Sequence, residues 1–140
     1  MRLEGEVKLL GHAIRAEAVR LDEGWDVSVL GGSRCHVGAV TLAESDGSAR
    51  TLLRPGHRDD AVSVRWAQAL AQRWGAPVCV RACIHYEDVG RAEIGSILLA
   101  CDDLLKAIME RKEDDDFNGK RCAGGQQDAG ARGLPGQVDV

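Results

Sequence analysis

Residues 31–43 read GGSRCHVGAVTLA and change from a flexible polar turn into an apolar strand. The second half, residues 37–43, is short and nearly all apolar, which is typical of a central strand buried on both faces of a sheet. Asp46-Gly47 follows as a strong hairpin-turn signal, and residues 49–53 form the predicted return strand. This stretch therefore predicts a hairpin at the heart of a sheet.

A histidine, His36, lies where the turn becomes the strand, and two later segments repeat that placement. His57 lies in RPGHRDD (residues 54–60) and His85 lies in CIHYED (residues 83–88), each between a strand and the start of a helix or loop. Binding sites are usually built at such element ends. The competing interpretation is that these are ordinary structural histidines, since histidine is often a satisfied structural residue.

The composition is that of one globular domain of 140 residues with 44% hydrophobic and 29% charged side chains. A net charge of −4 provides no basic patch for nucleic acid. No apolar run approaches the roughly 18–20 residues of a membrane span, and the N-terminus lacks the hydrophobic core of a signal peptide. We therefore expect a cytoplasmic protein whose five cysteines are thiols.

Alternating apolar residues predict the other strands. Residues 4–21 alternate weakly, as one strand or as two strands broken near Gly11. Residues 25–29 and residues 78–84 alternate more clearly, and each follows a turn signal.

Two amphipathic helices complete the pattern. The first follows Asp59 and Asp60 and ends at Gly75, and the second runs from Gly90 to about Arg111. The apolar stripe of the first helix is Val62, Trp66, Leu70 and Trp74; that of the second is Ile94, Ile97, Leu98, Cys101, Leu104, Leu105 and Ile108.

A run of hairpin-connected strands followed by helices predicts an α+β domain. We expect an antiparallel sheet of about five to six strands with both helices packed on one face, formed by residues 1–113. Residues 114–140 are rich in Gly, Gln, Ala and Asp and have almost no large apolar side chain. Such a segment cannot offset its ordering entropy, so we expect a disordered tail.

If the three strand ends share one edge of the sheet, the imidazoles of His36, His57 and His85 could bind zinc or a similar transition metal with an open position. The acids that could serve as outer-shell acceptors or extra ligands are Asp59, Asp60, Glu87 and Asp88. Helix N-terminal acids are their simpler interpretation, and for Asp60 the preferred one.

Anion binding has weaker signals. Residues 31–34 could offer backbone N–H groups and the Arg34 guanidinium to a phosphate, although a plain hairpin turn is the better interpretation. Arg54 and Arg81 are further candidates, and either could equally be a surface charge.

Three segments in order resemble a known small family. They are CHVGAVTLA (residues 35–43), PGHRDD (residues 55–60) and CIHYED (residues 83–88). The family is that of prenylated-flavin chaperone-like proteins, small accessory proteins encoded beside reversible non-oxidative hydroxyarylic acid decarboxylases. The resemblance covers about residues 4–111, and it departs at residues 90–91, where relatives often begin the last helix with Thr-Pro.

The resemblance implies a non-catalytic helper that binds reduced prenylated FMN and assists its delivery to a UbiD-type decarboxylase catalytic subunit. It also implies a fold similar to that of small proteasome-assembly chaperones, a homodimer, and a divalent metal of unknown identity. The implied metal ligands, or alternatively the implied site for the cofactor phosphate, are His36, His57 and His85. The implied close-approach backbone positions at the cofactor are Gly38 and Gly56. We add Arg34 and Arg81 to the expected cofactor-binding residues, as the anion-binding candidates noted above. Trp25 and Tyr86 are candidate platforms for the flavin ring.

Two other classes of function remain open from the sequence. One is a metal-dependent enzyme, such as a hydrolase, in which Glu87 or Asp59 would be the general base. The other is a structural subunit or assembly factor of the decarboxylase that has no ligand of its own.

Overall fold

The computed structural model describes residues 1–111, and the predicted disordered tail lies outside the described residues. Residues 4–21 form two strands, joined by a turn in which Leu10 and Gly11 have φ of 52° and 78°. The elements are β1 (Arg2–Leu9), β2 (His12–Arg20), β3 (Trp25–Gly32), β4 (Ala39–Ala43), β5 (Ala49–Leu53), α1 (Asp60–Trp74), β6 (Val78–His85) and α2 (Arg91–Met109).

The six strands form one sheet in the order β1-β2-β3-β6-β4-β5, which confirms the α+β class, the strand number and the two helices. The expectation of antiparallel pairing holds for every pair except β3 and β6, which run parallel in a register that matches Gly32 with His85. The reason is the crossover: after β5 the chain passes through α1 and inserts β6 between β3 and β4. The carboxyl ends of β3 and β6 therefore lie side by side, at one end of the strands rather than at a lateral edge of the sheet.

Both helices cover one face of this sheet. α1 packs on β4 and β6, α2 packs on β1, and the two helices contact each other. Alternate strand residues such as Val27 and Val80 are fully buried beneath them, as is Leu70 of α1. Among the described residues, no helix combines the length and the hydropathy that a membrane crossing requires.

The predicted stripe of α2 is wrong at its N-terminal end. Ile94 and Leu98 are 47% and 42% exposed, whereas Cys101, Leu105 and Ile108 are buried as expected. Ile97, which lies between them, is 8% exposed, so only one side of the predicted stripe is buried in these turns.

A buried hydroxyl network fixes α1 against the β4–β5 hairpin. Thr41 Oγ1 lies 2.8 Å from Ser63 Oγ and 2.8 Å from Thr51 Oγ1, and Thr41 and Ser63 are fully buried. Buried hydroxyls are costly unless they are paired, so this network has one favourable arrangement. It therefore ties α1 to both strands of the hairpin.

Candidate functional site

The chain crosses the end of β6 just after β3, and this crossing brings two histidines together. The backbone N–H groups of Ser33 and Arg34 donate to the carbonyl of His85 at 2.8 and 3.3 Å. Gly32 permits the crossing, since its φ is 90° and an added Cβ would collide with the His85 backbone. As a result the ring centroids of His36 and His85 are 4.9 Å apart.

The third histidine reaches the same place from the loop before α1. His57 Nε2 lies 3.2 Å from His36 Nδ1, and their rings are nearly perpendicular, at 89°. His57 Nδ1 lies 3.0 Å from the carbonyl of Pro55. A carbonyl only accepts, so Nδ1 carries the proton and donates to it, which leaves the lone pair of Nε2 facing His36 when the ring is neutral.

The histidines border a pocket of about 420 Å³ at the carboxyl edge of β3 and β6. Opposite them lies an apolar wall that the sequence did not predict, because its side chains look like ordinary helix and strand residues. The pocket is lined by His36, Gly56, His57, Arg58, Asp59, Val62, Ile84, His85, Tyr86, Val89, Ile94 and Ile97. An imidazole cluster beside an aliphatic wall suits a ligand that is anionic at one end and apolar at the other.

Of the two expected ring platforms, only Tyr86 is at this pocket. It is 8% exposed, its hydroxyl donates to the carbonyl of Leu9 at 3.1 Å, and its ring meets the edge of His12 at 5.9 Å. Trp25 lies at the opposite, amino-terminal end of β3, where it stacks on Trp74 with ring centroids 4.1 Å apart. That end has a cavity of about 490 Å³, but it contains no histidine.

Of three other residues expected to bind the cofactor, one lines the pocket and two do not. Gly56 lines the pocket with a φ of +78°, a conformation that favours glycine. Arg34 pairs with His85 through the backbone, but its side chain points to solvent, 3.7 Å from Glu87. Arg81 lies on the face away from the helices, 3.7 Å from Asp26, and about 13 Å along β6 from His85.

Gly38 and Asp59 are in direct contact. The carboxylate of Asp59 accepts the backbone N–H of Ile84 at 2.8 Å and occupies the space that a side chain at position 38 would need. Gly38 is therefore a close-approach position, and the group that approaches it is a carboxylate of the same chain. Within residues 1–111, no three His, Cys, Asp or Glu side chains already form a metal-binding group.

A family model described as "Prenylated flavin chaperone LpdD-like domain" matches residues 8–113. No curated protein matches the chain. Among solved structures, it is similar to a chain in "Crystal Structure of a Novel Chaperone Complex for Yeast 20S Proteasome Assembly", at 14% identity and a TM-score of 0.47. That match covers 78% of this chain and 97% of the other chain.

Proposed function

The chain belongs to the prenylated flavin chaperone LpdD-like family, and we propose that it binds reduced prenylated FMN and assists its delivery to a UbiD-type hydroxyarylic acid decarboxylase. The observation that carries this proposal is the meeting of His36, His57 and His85 beside an aliphatic wall. Prenylated FMN combines a phosphate dianion with a large ring system whose dimethylbenzene and prenyl-derived parts are apolar, and the pocket offers a surface for each.

The same proposal includes a divalent metal held by the three histidines. Two nitrogens bound to one tetrahedral zinc lie about 3.3 Å apart, and His57 Nε2 and His36 Nδ1 are 3.2 Å apart. The carbonyl of Pro55 orients His57 as outer-shell acceptors commonly orient ligating histidines. His85 would supply the third nitrogen, and the metal would supply an open position for a phosphate oxygen.

The two acids that could act as general bases, Glu87 and Asp59, both contact other groups of the chain, which agrees with a non-catalytic role. Glu87 lies 3.7 Å from the guanidinium of Arg34. The carboxylate of Asp59 is held by the backbone N–H of Ile84. Since Asp59 is engaged by the backbone and Glu87 lies in an exposed ion pair outside the residues that line the pocket, we propose a carrier rather than a hydrolase.

We also propose that the protein is a homodimer. On the sheet face away from the helices, Leu42 and Leu52 are 49% and 79% exposed beside the half-buried Val40. They lie on β4 and on β5, whose outer side is an edge of the sheet. An apolar patch at an open edge suits the docking of a second copy.

The test is an anaerobic titration of reduced prenylated FMN, with and without chelator, into the wild type and the variants His36→Ala, His57→Ala and His85→Ala. We expect each variant and the chelated wild type to bind more than about 100-fold more weakly, since even the outer-shell partners of metal ligands contribute 10–100-fold. His12→Ala is the control, because His12 is exposed and does not line the pocket.

Binding that survives both chelation and His57→Ala would contradict the metal–phosphate mechanism. If the wild type never binds the cofactor, the protein is instead a structural subunit or an assembly factor.

A further inference from the structure

We propose that Asp59 is the positioning residue that holds the three histidine segments together, with its carboxylate acting as a structural anchor rather than as a metal ligand. The inference rests on the proposed function only for what the histidines bind. The arrangement of the histidines themselves follows from contacts that are independent of any ligand.

Asp59 makes the first contact instead of capping its own helix. Asp59 is the N-cap residue of α1, a position where aspartate usually accepts an N–H of the first helical turn. Here its side chain makes no capping hydrogen bond. Its Oδ2 instead accepts the backbone N–H of Ile84, the residue directly before His85, at 2.8 Å.

That N–H group needs a partner because β4 does not extend far enough to supply one. The pairing of β4 with β6 stops at Ala39 and Ala82. Ile84 lies beyond that point, where an unpaired, half-buried N–H would be costly. A carboxylate accepts more strongly than a carbonyl, so Asp59 fixes the end of β6 and with it His85.

The second contact fixes the segment of His36. Gly38 is buried, and a Cβ built on it would overlap the carboxylate of Asp59. Gly38 is not among the glycines with positive φ, so its backbone conformation does not require glycine. The requirement comes from Asp59, which packs against the Gly38 backbone two residues after His36.

Asp59 itself follows His57 by two residues, so one carboxylate touches or belongs to all three segments. This connects three features: a glycine after His36, an aspartate after His57, and a half-buried N–H before His85 that β4 does not reach. The role that follows is positional, since Oδ2 accepts the N–H of Ile84 and both carboxylate oxygens lie against Gly38.

The test compares Asp59→Ala and Asp59→Asn in the ligand-free protein by NMR. The readouts are hydrogen-exchange protection of the Ile84 amide and the nuclear Overhauser contacts between the rings of His36 and His57. We expect Asp59→Ala to lose both. Asp59→Asn should retain both, because its amide oxygen still accepts the N–H of Ile84.

Asp46→Ala is the matched control. Asp46 Oδ1 accepts the backbone N–H of Ser48 at 2.8 Å, so the variant loses the same kind of hydrogen bond at the far end of the β4–β5 hairpin. It should change neither readout. Retention of the His36–His57 ring contact in a folded Asp59→Ala protein would overturn the inference.

Gly38→Ala tests the second contact and covers the case in which Asp59→Ala fails to fold. The added methyl group should lower the melting temperature clearly and break the His36–His57 ring contact while Asp59 is present. With Asp59→Ser, whose side chain is smaller, the same Gly38→Ala change should cost much less. Equal losses in the two backgrounds would show that Asp59 is not what excludes a side chain at position 38.

A zinc titration separates this inference from the proposed function. If the wild type binds neither Zn²⁺ nor the reduced flavin while Asp59→Ala still loses the ring contact, the positioning role stands and the proposed ligand is wrong. If the wild type binds Zn²⁺ and Asp59→Ala binds it equally well, the positioning role is wrong and the metal proposal stands.

Discussion

Replacing Leu70 and Leu98 separately by alanine tests the structure where it departs most clearly from the sequence pattern. Both residues lie mid-stripe on their helices, so the sequence predicts the same cost for each, about 2–5 kcal/mol for a buried large-to-small change. The structure predicts unequal costs, because Leu70 is 0% exposed and Leu98 is 42% exposed.

For Leu70→Ala the structure predicts the full loss of unfolding free energy expected of a buried leucine, because the side chain is fully buried. The removed carbons account for about 2.4 kcal/mol at roughly 0.8 kcal/mol per buried CH₂, and the enclosed cavity adds a further cost, for a total of about 3–4 kcal/mol. For Leu98→Ala only the buried part of the side chain counts, and no enclosed cavity forms because the site is open to solvent. The corresponding cost is about 1–1.5 kcal/mol.

Urea unfolding followed by circular dichroism measures both costs, with the slope of the transition compared between the variants to check that the unfolded states match. Leu99→Ala is a surface control, since Leu99 is 68% exposed. Costs for Leu70→Ala and Leu98→Ala that agree within about 0.5 kcal/mol would refute the orientation assigned to α2. A cost of the Leu98 change above about 2 kcal/mol would mean that something covers this face.

Two further predictions concern pH and assembly. Burial raises the pKa of the Cys101 thiol from its ordinary value of 9.0 to about 12. The native state then keeps a proton that the unfolded chain releases, so the free energy of unfolding should fall between pH 9 and 12, by up to about 1.4 kcal/mol per pH unit. Cys101→Ala should lack that component, and identical pH slopes would contradict it. For the dimer, light scattering should give twice the chain mass for the wild type and one chain mass for Leu52→Lys; a monomeric wild type would contradict the proposal.

The positions of the histidines at element ends could be predicted from sequence, because turn residues and apolar alternation mark where strands stop. The convergence of the three histidines at one site could not be predicted in this way. It depends on β6 entering the sheet parallel to β3, and neither Val78–His85 nor Trp25–Gly32 carries a local signal that selects its neighbour. The resemblance to the family supplied the convergence as an expectation, and the crossover through α1 explains it physically.

Asp59 shows a second limit of prediction from the sequence. As an acid before a helix it has a sufficient local explanation, the helix cap, and the sequence provides no reason to look further. Its actual partner, the N–H of Ile84, is 25 residues away and lacks a partner only because β4 stops short. Such a contact is a property of the tertiary fold, so no pattern of spacing could have predicted it.

The placement of the aromatic rings bears on how the proposed carrier would release its ligand. Only 4% of the residues are aromatic, and Trp25 and Trp74 are stacked on each other at the opposite, amino-terminal end of β3. Tyr86 lines the pocket, but its hydroxyl is held by Leu9. Because Tyr86 is only 8% exposed, a bound flavin would contact mainly aliphatic side chains and imidazoles, with little of the roughly 0.5–1.5 kcal/mol that stacking on a tyrosine or tryptophan ring adds to area burial. On this proposal the contact at the histidines would dominate the affinity, so weakening that one contact would be enough to release the cofactor to the decarboxylase.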